Sequence, residues 1–515
     1  MKLAFCLLAL CLSCVLTQGG ERPLTLTNLL ASVEAHYPAV VSALKKREAA
    51  EGKALSAKGA FDLKFKLNSR NDPLGFYENR ILEALLEQPT PYRGTRLFGG
   101  WRRGDGLFPL QEEKRETQSG GEFLFGVSTP LLRDGRIDAA RAGIQRTQID
   151  VESERARVEQ IRLLVQQSAA AQLLKWSAAL QKQAVREKLL NLALIRDQAI
   201  RDQVDIGDKA KVDIVDNQRL IAARREGVIA ARQAASEEAV NLSLYWRDDT
   251  GEPRTPDSLA NGRLLETSLL GDMPPVAEAL ASHPMAQIFQ RALEAEGVTQ
   301  RLSENQLLPQ LDLALSVSKD VGDGSRTKNE TEFRIGALLE YPFQNRKARG
   351  NLASSRAKIS AIEQELRLVI DKLRASAMVA DNNIRQLNER LERLHERLER
   401  SREMRQAETD RVELQLSDLL RLNLREQDVA AAETALIDTR LELRLAELNR
   451  INAPAVDLAP VESRQRARLR ESGGRPRKKL GQPPFPALHP RSRERGHGNA
   501  EELPPPFRNR TPRQP

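Results

Sequence analysis

Two stretches of this chain repeat one plan, and each ends in a helical period far too long for a globular domain. The first opens at His36-Tyr-Pro38, keeps helical spacing to about Lys58, then reads Phe61-Asp-Leu-Lys-Phe-Lys-Leu67. The second opens at Ser282-His-Pro284, runs helically to about Leu308, then reads Leu311-Asp-Leu-Ala-Leu-Ser-Val317. Apolar residues at every odd position predict a strand with one apolar face. Each unit then supplies a returning strand, Glu122-Phe-Leu-Phe-Gly-Val127 and Glu332-Phe-Arg-Ile-Gly-Ala337, with Pro130 and Pro342 beyond. The shared Glu-Phe-x-Φ-Gly pattern marks a duplication.

After each second strand the period becomes helical, over 137–204 and about 347–411. In the second stretch Ile384, Leu387, Leu391, Leu394 and Leu398 alternate steps of four and three, as in a coiled-coil seam. Glu389/Arg393 and Glu396/Arg400 suit an exposed helix face. About 65 residues at 1.5 Å each give a helix of about 100 Å. Each helix breaks briefly and a second returns, at about 210–244 and 418–450.

The expected division is an export signal at 1–20, a first repeat at 21–250, a connector at 251–275, a second repeat at 276–450 and a tail at 451–515. Residues 1–20 have the signal pattern of a basic start, an apolar run from Leu3 to Leu16, and small polar residues after it. All three cysteines (6, 11 and 14) lie there, so disulfides and cysteine–metal sites are excluded from the body. Leu12-Ser13-Cys14 partly matches a lipobox, with Cys11 where Leu is usual, so lipidation of Cys14 and simple cleavage both stay open. The tail beyond 459 carries fourteen Lys/Arg against five Glu, the whole of the net +9, and eleven of the 26 prolines. Such a segment buries no core and reads as a solvated, disordered appendage.

Strands with an apolar face, joined to polar helices, constrain the environment. In lipid every backbone group must be paired, so strands cross a membrane only as a closed barrel. Four clear strands per chain cannot close one, because the smallest membrane barrels need about eight. Several chains must pool them, and three would give twelve. Between the strands of the first unit lies a long insert, 68–121. Within it 80–88 and 95–101 flank the turn-like Pro89-Thr-Pro-Tyr-Arg-Gly94. They form either an extra strand pair, six strands in all, or a large external loop. Ten of the 21 aromatics fall between Phe61 and Phe125, as interfacial girdles would require.

Nothing in the sequence points to an enzyme. The five histidines are scattered, no metal-ligand spacing occurs, and no phosphate loop or nucleophile elbow is present. No metal or cofactor is expected. His36 and His283, each near a Pro, read as helix-start residues. A competing reading is an exported periplasmic coiled-coil scaffold or adaptor without a pore. A third, a polyanion binder, rests on the basic tail alone, and no nucleic-acid motif accompanies it.

Signal, duplication, hairpins and paired long helices together resemble the TolC-type outer-membrane efflux protein family over about 24–450. The resemblance implies a mainly α fold with a membrane β-barrel, a trimeric twelve-strand barrel continuing into a twelve-helix α-barrel tunnel. It also implies a Gram-negative outer-membrane location with the tunnel in the periplasm, and passive conduction in efflux or type I-like secretion. The implied partners are outer-membrane lipid, a periplasmic adaptor (membrane fusion) protein and an inner-membrane transporter. The sharpest local match is Gly207-Asp-Lys-Ala-Lys-Val-Asp-Ile-Val-Asp216 at a helix break. It resembles the family's tunnel tip, which implies a pore gate at Asp213 and Asp216. Gly207, Asp208, Lys209, Lys211 and, at the other break, Asp418 become candidate adaptor contacts. The best-known family pattern has its paired Asp in the second unit; here the pair is in the first. Helix capping, or a solvated face, is the plainer role for these carboxylates.

Overall fold

The computed structural model describes residues 24–112, 115–256, 264–270, 280, 282–324, 330–414 and 416–452. Cys14 with the rest of the export segment, parts of the connector, and the tail from 453 lie outside the described residues. All described residues belong to one compact unit.

In the first unit α1 (Leu26–His36) and α2 (Pro38–Lys58) lead into β1 (Lys64–Asp72), β2 (Asn79–Pro89), β3 (Arg96–Gly106) and β4 (Glu122–Pro130). The helices α3 (Ala139–Asp205) and α4 (Lys211–Ser243) follow. The second unit runs α5 (Pro284–Asn305), β5 (Gln310–Asp320), β6 (Thr331–Glu340), α6 (Arg346–Glu413) and α7 (Leu419–Asn452). Local chemistry sets the helix starts. Thr25 accepts the Asn28 N–H at 3.1 Å, and Asp138 accepts the Arg141 N–H at 2.7 Å. Proline occupies the first position of α2 and α5, where its missing N–H is harmless. His283 is the N-cap of α5, whereas His36 ends α1 and Tyr37 takes the equivalent place before Pro38. At 67 and 68 residues, α3 and α6 are about 100 Å long.

The strands form one antiparallel sheet in the order β1-β2-β3-β4-β5-β6. Of the two readings of the insert, the extra strand pair is the one present, as β2 and β3, giving six strands in this chain. In this pair Ile81, Leu85 and Phe98 put apolar side chains on the more polar face, which blurs the alternation. Directly paired residues share a face, so the register sorts every side chain. One row runs Phe65, Leu86, Gly99, Phe125, Val317, Phe333, and the next Gln88, Leu97, Val127, Leu315, Ile335. This face is apolar along all six strands, and Phe65, Leu67, Phe125, Phe333 and Leu339 are more than half exposed. The opposite face carries Lys66, Glu83, Glu87, Arg102, Glu122, Ser316, Ser318 and Arg334. Its ion pairs Lys66–Glu87 and Arg102–Glu122 bridge adjacent strands. Trp101 and Phe123 pair at one end of the sheet, and Tyr341 stacks edge-on to Phe343 at the other.

Sheet and helices are tied at their junction. The Asp134 N–H donates to Asn305 Oδ1 at 2.7 Å, and Asn345 Nδ2 donates to the Leu307 carbonyl at 3.1 Å. The β2–β3 turn reaches the same junction, where the Thr95 and Thr129 hydroxyls are 3.0 Å apart. At the far end the β3–β4 loop folds back on the polar face, where Glu112 meets Arg70 at 2.9 Å and Thr117 binds Gly104. Midway along the helices Leu29, Val33, Leu173, Trp176 and Leu242 join α1, α3 and α4 in one core. Leu174, Ala178, Leu265, Ile437 and Leu448 join α3, the connector and α7 in a second. Arg444 and Glu447 hold the connector: Arg444 donates to the Leu265 carbonyl, and Glu447 accepts from Ser268 and the Leu269 N–H. Along α3 seventeen residues are buried, along α6 only six. Within one chain α6 is half clothed.

Candidate functional site

The ends of the two long helix pairs, farthest from the sheet, hold the residues singled out by sequence. At the first tip α3 closes in a Schellman motif. The Gly207 N–H bonds the Val204 carbonyl at 3.0 Å and the Asp208 N–H the Gln203 carbonyl at 2.9 Å. Gly207 sits at φ +82°, a conformation that costs any residue with a Cβ. Lys211 opens α4; Asp213 lies in its first turn, half-exposed, where a carboxylate complements the helix dipole. Asp216 is exposed one turn on and pairs with Arg219 at 3.0 Å. The two carboxylates therefore share a side of α4. Asp208 and Lys209 lie in the exposed turn, with Ile206, Val212 and Val215 more than 60% exposed around them.

The second tip is built differently. The Leu416 N–H reaches back to the Arg411 carbonyl at 2.8 Å. Asp418 is the cap of α7, its Oδ1 accepting the Arg421 N–H at 2.8 Å. Leu414, Leu416 and Leu420 are more than 60% exposed.

Behind the tips lies a buried polar cluster that sequence reasoning missed. Glu426 of α7 is held by Arg196 of α3 and by Arg224 of α4, the latter at 2.8 Å. Arg196 also donates to Asn423, and Arg224 to the Leu189 carbonyl at 2.7 Å. The Arg224 and Glu426 side chains are each only 4% exposed. By helix rise the cluster sits about 12–20 Å behind the turns. Its signal in the sequence is weak, since three charged residues among so many give no spacing across 230 positions. One turn nearer the tip, Asn217 donates to Asp197 Oδ1 at 2.9 Å and locks α4 to α3. Hydrogen bonds from Arg201 and then Asn217 hold the Asp197 carboxyl below its usual range.

Chemically this region can position charges and apolar side chains at the ends of the helix pairs. Among the described residues no group of His, Cys, Asp or Glu could hold a metal ion, and no helix is long and apolar enough to cross a membrane.

No protein-family model and no curated protein sequence matches the chain. Solved structures do match it. It aligns with the outer-membrane channel OprN at 14% identity and a TM-score of 0.60, over 84% of this chain and 91% of that one. The open-state MtrE outer-membrane channel of Neisseria gonorrhoeae aligns at 13% identity and 0.60, over 84% and 89%. The CmeC outer-membrane channel of Campylobacter jejuni aligns at 11% and 0.61, over 87% and 89%. Identities this low carry the fold and nothing finer, and the chain has the fold of the TolC-type outer-membrane efflux channels.

Proposed function

We propose that this chain is the subunit of a homotrimeric channel in the Gram-negative outer membrane. Its sheet lies in lipid, and four helices per copy (α3, α4, α6 and α7) build a twelve-helix tunnel through the periplasm. An inner-membrane transporter and a periplasmic adaptor deliver substrate for efflux or type I-like secretion, and the chain conducts it passively. The single observation that carries this reading is the sheet: one face apolar along all six strands, the other charged, and both edges open. In lipid such a sheet must close on itself, and a charged inner face suits a water-filled lumen. A pore-free scaffold would leave that apolar face in water. The half-clothed α6 supports the same reading, since a neighbouring copy would cover it.

At the tunnel tip Asp213 and Asp216, three copies each, form carboxylate rings that favour cations. Gly207, Asp208, Lys209, Lys211 and Asp418 meet the adaptor. Protein extracted from envelopes and imaged by negative stain is expected to form trimeric tubes well over 100 Å long. Compact particles from material that leaves the membrane in alkaline washes would sink the channel in favour of the scaffold. In planar bilayers Asp213→Asn/Asp216→Asn is expected to reduce cation preference severalfold. Unchanged selectivity would reduce these residues to a solvated helix face.

A further inference from the structure

The open edges and the strand count carry a second step, which rests on the channel reading. We propose that β6 of one copy pairs with β1 of the next, and that three copies close a barrel of eighteen strands rather than twelve. Each successive strand is antiparallel to the last, so β1 and β6 run in opposite directions. Joining β6 to a neighbour's β1 keeps the alternation unbroken round the ring.

The two edges match in chemistry. The apolar face of β1 offers Phe65 and Leu67, and that of β6 offers Phe333, Ile335 and Leu339, all more than half exposed within one chain. On the polar face β1 presents Lys64, Lys66 and Arg70, while β6 presents Glu332 and Glu340 beside Arg334. Cations thus face carboxylates across the seam. The hairpin β2–β3 is a full member of the wall. All eleven residues of β2 pair with β3, nine of them also pair with β1, and seven of β3 pair with β4. Its apolar residues Leu82, Ala84, Leu86, Leu97 and Trp101 continue the outer band.

Perimeters agree. Twelve helices about 8–10 Å apart enclose a ring of roughly 100–120 Å. Eighteen strands about 4.8 Å apart, tilted about 40°, enclose roughly 110 Å, and twelve only about 75 Å. The wider barrel sits on the tunnel without a taper, so its wall does not limit what passes. Passage is controlled at the helix tips and at the outer loops.

The test uses the full-length oligomer. Cryo-electron microscopy is expected to show eighteen strands; a twelve-strand trimer would overturn the inference and leave the channel reading standing, while the absence of any barrel would sink both. Excising residues 79–106, which removes β2 and β3 but spares the following loop, is expected to leave twelve strands in the same images. A wall of unchanged strand number would place the hairpin outside it. Should that variant fail to assemble, cysteine pairs decide the seam, since every native cysteine lies at or before position 14. Asn68→Cys combined in turn with cysteines at 332, 334, 336 and 338 is expected to yield covalent trimers at one or two positions. Trimers formed instead through Gly100→Cys on β3 would overturn the proposal.

Discussion

The two units share a frame and differ at its ends. Both run helix, strands, long helix, returning helix, and in both a Glu-Phe-x-Φ-Gly strand feeds the long helix. The first has four strands to the second's two, a glycine-closed tip with an Asp pair, and a long helix with seventeen buried residues to the second's six. Helix length and strand register are set by periodicity and cannot drift without breaking the common axis. Turns and loops face no such constraint, so the duplicated halves diverged where their chains reverse.

The sharpest way to break the comparison is at the cluster binding the first helix pair to α7. Glu426→Ala would leave Arg196 and Arg224 buried without their carboxylate, a loss of about 3–5 kcal/mol. Removing Asp438 from its half-exposed pair with Lys182, which links α3 to α7, is expected to cost under about 1 kcal/mol. Thermal unfolding of the extracted oligomer compares the two. Equal losses would show that the first tip is not specially tied.

Next come two glycines at matching places in the repeat. Gly126 in β4 lies under the ring of Phe98, which occupies the space a Cβ would take. Gly336 in β6 has nothing within 4 Å in its own chain. Gly126→Val is therefore expected to lose about 1–3 kcal/mol through overpacking, with Gly336→Val much milder. Urea midpoints test the difference, and a severe Gly336→Val would show that a side chain of the neighbouring copy crowds β6 at that height.

What the sequence made legible follows from period. Strict alternation exposed the strand regions at 61–67 and 311–317, although Phe61 falls in a short 3-10 turn and β1 begins only at Lys64. Unbroken 3.6-residue spacing exposed the long helices nearly to their ends. The strands β2 and β3 were ambiguous because Phe98 and Leu85 point to the polar face and glycines stand at 99 and 100, blurring the alternation. At the tip, Gly207 and the Asp pair stood out as local pattern. Glu426, Arg196 and Arg224 did not, because a contact between helices leaves no short-range spacing.

The tips themselves offer smaller effects of opposite origin. Gly207→Ala forces a side chain into φ +82° where no neighbour crowds it, so only backbone strain of about 1 kcal/mol is expected. Asp418→Ala loses the cap of α7 and is expected to cost about 1 kcal/mol as well. Hydrogen exchange should separate them. The first variant opens the last turn of α3 and the second the first turn of α7, and exchange spreading across both tips would mean that they act as one rim.

The smallest effect is a pH slope at the start of α5, which the matching Tyr37 of the first unit cannot show. His283, 1% exposed, accepts the Met285 N–H through Nδ1 at 3.1 Å, while Tyr37 at the matching place makes no side-chain cap. Burial pushes the His283 imidazole below its ordinary 6.5, an effect only partly offset by the Asn452 backbone. The unfolded chain therefore binds the proton first as pH falls below 6.5, and stability is expected to be full above that value and to decline beneath it. Protonation would also convert the accepting Nδ1 into a donor facing a donor. His283→Asn keeps a capping side chain and removes the titration, so its unfolding midpoint should be flat between pH 7 and 5 where the parent's falls. Parallel slopes would assign the acid sensitivity to other groups and remove this distinction between the units.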